Sequence, residues 1–250
     1  MNILICPDKF KGSLSAQQAA EALAQGILNK RKKSNIQCIP LADGGEGTLE
    51  VIQQMHGGQW VSVTVKDPLF RPIEASYLWL ADQKTAYIEM ARASGLGLLL
   101  KKDQNPLKTS TYGTGELIRH AAEAGATTIV LTIGGSATND AGIGMAAALG
   151  YTFLDHNSAE LQPTGENLIH VAEIKGSNPY PSIQFIVLSD VTNPLHGPQG
   201  AAQVYAKQKG ANVTSIKQLD KGLINMAKWL SADTPVAGAA GGLGAGALYF

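Results

Sequence analysis

Cysteine is nearly absent from this chain of 250 residues, which carries only Cys6 and Cys38. Two cysteines cannot build a disulfide framework or a thiolate-rich metal site. Both lie in apolar runs and read as small hydrophobes in buried strands. An excess of charge of either sign is missing as well. Twenty Lys and Arg balance twenty Asp and Glu, so no global field draws the protein to nucleic acid or anionic lipid, and any polyanion site has to be local. No apolar run approaches the ~20 residues of a membrane span, and no basic region followed by a long apolar segment stands at the N-terminus. The expectation is a soluble cytoplasmic protein without membrane or nucleic-acid partners.

Several chemical signatures are missing too. The Walker A pattern GxxxxGK[ST] does not occur. There is no GxSxG elbow and no Cys–His pairing that would suggest acyl transfer. The five His residues are scattered without metal spacing. Gly242, Gly244 and Ala247 formally match GxGxxG/A, but VAGAA before them is a poor strand and no acidic partner follows.

What the sequence does hold is glycine, 28 residues of it, and enough apolar residues (44%) for one large or two modest domains. Residues 2–6 read as a short buried strand, 15–30 as a helix, 35–41 (NIQCIPL) as a second strand and 47–56 as a second helix. That βαβα order predicts a parallel sheet with crossover helices. WVSVTV (60–65), ASYLWL (75–80) and TAYIEM (85–90) then alternate as strands of an antiparallel meander. A helix over 113–124, a buried strand TTIVLTI (127–133), a helix over 141–149, a buried strand IQFIVL (183–188) and a helix over about 214–230 follow. GAAGGLGAGALYF reads as the start of another helix. A soft boundary falls near residue 58, where the parallel pattern stops.

Four segments share one grammar, an apolar strand followed by a polar glycine-containing loop and a helix. They are PDKFKGSLS (7–15), ADGGEGT (42–48), GGSATNDAG (134–142) and SDVTNPLHGPQG (189–200). In open α/β sheets ligands bind beyond the carboxyl ends of strands, where such loops collect. Glycine lets backbone approach a ligand closely, and free N–H groups at a helix start attract phosphate. Each loop also has a structural alternative. Ser136 and Thr138 could cap a helix, whereas the two glycines with Asn139 and Asp140 favour phosphate or nucleotide contact. In ADGGEGT, Thr48 could cap, or Asp43 and Glu46 could serve a metal or substrate. Asp190 could close an Asx-turn or do chemistry. Lys11 could be a solvated charge at a helix end.

PDKFKGSLSA, LADGGEGT, DPLFRP, IEMARASGL, TSTYGTGELI, IGGSATNDAGIGMAAALG, SDVTNPLHGPQGAA and AGAAGGLGAG resemble, in order and nearly end to end, the signature segments of the bacterial glycerate kinase family. The resemblance implies a kinase dependent on ATP and Mg2+ that phosphorylates D-glycerate, usually to 2-phosphoglycerate. It implies an α/β fold: a Rossmann-like parallel-sheet domain, incomplete here, carrying an inserted second α/β domain with a mixed and antiparallel sheet. Residues 1–58 would form the first part of the Rossmann-like domain, 59–240 the insertion, and 241–250 the start of the return. Two departures stand out. Lys9 occupies the place where the family usually has Ser. Relatives also continue past AAGGLGAG with further strands and a Gly-Glu-Gly-Arg-x-Asp segment, so this chain resembles roughly the first two-thirds of a full-length member.

The same resemblance suggests roles. Lys11, Asp190 and Asp8 would be catalytic, with Lys11 neutralising developing charge and Asp190 acting as general base. Ser13, Asp43, Gly44, Gly45, Glu46, Gly47, Thr48 and Asn193 would meet glycerate. Gly134, Gly135, Ser136, Thr138, Asn139 and Asp140 would meet the nucleotide phosphates. Asp8, Asp43 or Glu46 would hold magnesium. The competing readings are a kinase for another small hydroxy acid and a truncated ligand-binding remnant without turnover. A homo-oligomer stays open.

Overall fold

A computed structural model describes residues 1–10, 12–230 and 234–250. The first unit is β1 (Asn2–Ile5), α1 (Ala16–Lys30) and β2 (Asn35–Cys38). The two strands pair in parallel from Asn2↔Asn35 to Ile5↔Cys38 and form a sheet of their own. Helix α1 starts on a reciprocal capping box: the Gln18 amide donates to Ser15 Oγ and the Ser15 amide to Gln18 Oε1. Its apolar stripe is short, with Ala16, Ala19 and Ala20 buried. A two-stranded sheet covered this thinly cannot enclose its strands. Leu4 is 60% exposed, Cys6 is exposed and Cys38 half-buried. The expectation of a buried first strand with two core cysteines is therefore corrected.

Helix α2 (Thr48–His56) follows, and it packs on the larger sheet rather than on β1 and β2. Its Leu49 clusters with Leu78 and Leu80. The larger sheet begins with β3 (Gln59–Lys66), β4 (Pro72–Leu80) and β5 (Thr85–Glu89), antiparallel neighbours as their alternation predicts. It continues in parallel through β6 (Thr128–Thr132) to β9, in the order β3-β4-β5-β6-β9. Two helices, α3 (Ala91–Ser94) and α4 (Tyr112–Glu123), make the crossover from β5 to β6. Between β6 and β9 lie α5 (Ile143–Ala148) and the antiparallel pair β7 (Thr152–Leu154) and β8 (Glu173–Lys175). Strand β9 itself spans Gln184–Leu188. The remaining helices are α6 (Ala201–Tyr205), α7 (Val213–Met226) and α8 (Ala239–Tyr249).

The main core lies between this sheet and its helices, joining Tyr77, Ile88, Leu117, Leu131, Met145 and Leu223 among others. Strand β6 sits inside the sheet and buries four of its five residues. Strand β9 was expected to be buried but is an edge strand with a single neighbour, which leaves Leu188 39% exposed. Helix α4 lies so close to β3 that a Cβ on Gly113 would come within 1.9 Å of the Lys66 carbonyl oxygen. The β7–β8 pair was not expected, because three-residue strands are too short to show a period. Helix α8 bears out a helical start but is kinked, with Ala240, Gly241 and Gly242 all at positive φ. No helix among the described residues is long and apolar enough to cross a membrane.

Candidate active site

The loops that follow β1, β2, β6 and β9 converge on one cavity of about 680 Å³. They bring Lys9, Asp43, Glu46, Gly135, Ser136 and Asp190 to its walls. A second cavity, of about 560 Å³, lies beside it and is lined by Asp8, Ser13 and Leu14 together with Gly47. Lys9 and Glu46 border both. The strand edges explain the convergence: β5, β6 and β9 run parallel, so their carboxyl ends open on the same side.

The first two loops are tied by charge. Lys9 Nζ donates to Asp43 Oδ1 at 2.7 Å and lies 3.7 Å from Asp8 Oδ1. Burial works to lower the Lys9 pKa, but the Asp43 bond and the Asp43, Asp8 and Glu89 charges outweigh it, so Lys9 sits above its ordinary value. Asp43 Oδ1 also accepts from the Gly45 amide at 2.9 Å. Thr48 does not cap α2. The N-cap is Gly47 at φ 86°, and Thr48 Oγ1 donates back to the Gly45 carbonyl at 2.7 Å. The Gly47 amide donates to Glu89 Oε1 at 3.1 Å. That bond pins the second loop to the end of β5. Burial pushes Glu89 up to about 7, with Arg92 pulling it down and Glu50 pushing it further. Lys11 lies outside the described residues.

The third loop divides into a half that lines the cavity and a half fully buried behind it. Gly134, Gly135 and Ser136 line the larger cavity. Gly135 has φ 76°, a left-handed conformation that glycine adopts without steric cost. Gly134 serves loop packing: its amide donates to the Gly44 carbonyl at 3.2 Å, and a Cβ there would sit 2.6 Å from Gly45 Cα. Thr138, Asn139 and Asp140 are fully buried behind this turn. Asp140 Oδ2 accepts from the Thr111 amide at 2.7 Å and the Thr111 hydroxyl at 2.8 Å, and its other oxygen accepts from the Gly142 amide. Burial raises its pKa against those bonds. Its carboxylate therefore cements the loop. Neither Ser136 nor Thr138 caps α5, whose N-cap is Gly142.

In the fourth loop, Asp190 is exposed and has no hydrogen-bond partner among the described residues. The turn at this place is closed instead by Ser189, whose Oγ accepts from the Val191 amide at 3.3 Å. The Asx-turn considered for Asp190 is absent. Asn193 is engaged structurally, donating to the Gln199 carbonyl and accepting from the Tyr205 hydroxyl at 2.6 Å. Burial, with the nearby Asp190 charge, raises the Tyr205 pKa.

Sequence reasoning passed over Lys9, Tyr205, Gln208 and Lys209, which also line the cavity. Lys9 had a signal, its replacement of a family Ser. The other three sit in a short helical stretch after the fourth loop that carries no motif. Lys209 is fully buried, and its ammonium donates to Ser136 Oγ and to the Thr138 carbonyl, both at 2.6 Å. Burial pushes its pKa down to about 7, with the Asp140 charge opposing.

A cavity of this volume is of the size that small-molecule sites take. Its chemical equipment is two carboxylates without hydrogen-bond partners among the described residues, Glu46 and Asp190, a tethered buried ammonium and a turn of backbone held open by glycine. That set suits transfer of an anionic group to a protic acceptor.

Comparison with known proteins agrees with that chemistry. The family model described as the glycerate kinase family matches residues 3–250. The glycerate kinase of Halalkalibacterium halodurans is 46% identical over 258 aligned positions, which cover 99% of this chain and 68% of the relative. The glycerate 2-kinase of Escherichia coli K12 is 42% identical, with 100% of this chain and 68% of that protein covered. Among solved structures, a protein assigned as glycerate kinase 2 from Salmonella typhimurium LT2 superposes with a TM-score of 0.85 at 42% identity, over 100% of this chain and 70% of that one.

Proposed function

Because the chain belongs to the glycerate kinase family, we propose that it transfers the γ-phosphoryl group of ATP to the 2-hydroxyl of D-glycerate, giving 2-phosphoglycerate and ADP. The observation that carries the reading is the Asp190 carboxylate, unbonded among the described residues, in a cavity it shares with the glycine turn 134–136. The hydroxyl oxygen forms the new bond to γ-phosphorus as the bond from γ-phosphorus to the β,γ-bridging oxygen breaks. The electron pair leaves with ADP, and Asp190 takes the hydroxyl proton. Phosphoryl transfer asks the protein mainly for position and charge compensation. The Gly135 turn offers close backbone approach to the polyphosphate.

The donor set narrows where magnesium would bind. Lys9 already places an ammonium against both Asp8 and Asp43, so that pair is occupied by a cation of the protein's own. No cluster of three or more His, Cys, Asp or Glu able to hold a metal occurs among the described residues. Magnesium needs only one or two carboxylates beside waters and phosphate oxygens, and Glu46, exposed to both cavities, fits that demand. When bound, the ion would neutralise β- and γ-phosphate oxygens.

Asp190→Asn is the direct test. Loss of a general base costs about 10²–10⁴-fold in rate, so kcat should fall by at least ~10²-fold with the melting temperature unchanged, since the side chain holds nothing in place. A coupled ADP-release assay on D-glycerate, other small hydroxy acids and no acceptor reads both rate and substrate. Faster turnover on a different hydroxy acid would replace glycerate as the acceptor, and retained kcat in Asp190→Asn would remove the base. Phosphorus NMR of the product fixes which hydroxyl is phosphorylated.

A further inference from the structure

We propose that Lys209 is the ammonium that holds the γ-phosphoryl group during transfer, a catalytic residue supplied by the segment after α6. This rests on the kinase reading above. A lysine ammonium has three N–H donors. Two are spent on neutral acceptors, Ser136 Oγ and the Thr138 carbonyl. The third has no acceptor among the described residues. No carboxylate lies within ion-pair distance of Lys209 among them. The opposite charge that Lys209 feels is Asp140, and that carboxylate is already engaged by Thr111, Gly142 and Gly144.

A cation buried to 2% exposure without an ion pair is costly. Packing gives no reason to keep one where a methionine would fill the same space. The cavity does give a reason. Lys209 lines it beside Ser136, and Asp190 lines it as well. Tyr205, four residues earlier, feels the Asp190 charge. The ammonium is thus held at the wall that carries the glycine turn, in the same cavity as the candidate base. Two short hydrogen bonds fix its position before any ligand arrives, which is the condition for an electrostatic group to favour the transition state over the ground state. Burial makes the charge stronger toward an anion that enters.

A compact ammonium suits a phosphoryl oxygen as a point charge. Its tether to the 134–136 turn, where polyphosphate backbone contact is expected, assigns it to the donor side and not to the glycerate carboxylate. Lys209 keeps its proton throughout; the proton from the hydroxyl goes to Asp190.

The test uses the 250-residue chain and its Lys209→Met variant, with calorimetric titration of ATP, ADP and D-glycerate alongside steady-state rates. A lost charge-assisted hydrogen bond is worth about 10–100-fold. Lys209→Met should therefore weaken ATP by at least about tenfold, weaken ADP and D-glycerate by less than about threefold, and lower kcat by ~10²-fold or more. Equal weakening of ATP and ADP overturns the assignment to the γ-phosphate. Selective weakening of D-glycerate overturns it in favour of the carboxylate, and unchanged ATP affinity in a folded variant overturns it outright.

Should Lys209→Met fail to fold, the wild type carries the decision. In protein labelled with 13C-lysine, the Lys209 Cε titration midpoint should move up when ATP is added and move less with ADP. A midpoint that ATP leaves unmoved overturns the proposal. If the wild type releases no ADP on D-glycerate, the parent function falls, while the comparison of ATP with ADP still reads Lys209.

Discussion

The β1–α1–β2 unit and the five-stranded sheet follow the same strand–loop–helix rule and end up with opposite properties. The first encloses three alanines and one isoleucine well, and leaves Met1, Leu4, Leu14 and Leu23 exposed. The second buries both faces of β5 and β6 under helices and gathers nearly the whole apolar core. Both nevertheless deliver loops to one cavity. Lys9 and Asp43 come from the thinly covered unit, while Ser136 and Asp190 come from the well-packed sheet. The difference teaches that a site can be assembled from parts of unequal burial when cross-links fix their relative position. Here the cross-links are the Gly134 amide to the Gly44 carbonyl and the Gly47 amide to Glu89.

Four measurements would break or sharpen that contrast. The largest expected effect comes from core truncation. Leu131→Ala in β6, fully buried, should cost ~2–5 kcal/mol of unfolding free energy. Leu4→Ala in β1, largely exposed, should cost under about 0.5 kcal/mol. Urea unfolding compares them, and equal costs would dissolve the contrast. Hydrogen exchange adds a residue-level view, with faster exchange expected at β1 and β2 than at β5 and β6.

Next is the cross-link at Glu89, whose carboxyl is held up to about 7 by burial against its ordinary 4.5. The folded protein keeps this proton to higher pH than the unfolded chain does. The group's stabilising contribution is therefore full below about 4.5 and is lost as pH rises through about 7. Lys209 acts in the other window: its pKa is depressed to about 7 from 10.5, so its contribution is full above 10.5 and is lost as pH falls toward 7. Urea midpoints measured between pH 4.5 and 10.5 should pass through a minimum near neutrality. Glu89→Gln should flatten the acidic arm alone. An unchanged acidic arm in that variant would show that Glu89 does not couple the two regions as described.

The smallest effect is expected at Lys9→Ser. The substitution removes a partly exposed ion pair with Asp43, worth roughly 0.5–1 kcal/mol. It also restores the residue type that the family resemblance implies there. Catalytic efficiency should change by less than tenfold. A loss of ~10²-fold would promote Lys9 from a brace between loops to a group that contacts ligand.

Much of this molecule was legible in one dimension. The alternating runs at 60–65 and 75–80 and the apolar run at 127–133 set strand positions because their periods come from the backbone itself. Helix α1 could be placed over 15–30 for the same local reason, from the helical spacing of its Ala, Leu and Ile residues. The convergence of four loops could be expected because parallel strands place their carboxyl ends together. Burial of particular side chains could not be read that way. Isoleucine and leucine look alike in a central strand and in an edge strand, so β9 was expected to be buried, and Cys6 was mistaken for core.

Within the motif GGSATND, the sequence presents six candidate contacts as equals. Only the fold decides that Ser136 meets the cavity while Asp140 turns inward to Thr111, because that choice depends on which distant amides lie in reach. Lys209 is the clearest case. Nothing adjacent to it in the chain marks it, and its partners, Ser136 and Thr138, lie 73 and 71 residues away. Local propensity is set by neighbours in sequence, whereas the state of a charge is set by neighbours in space.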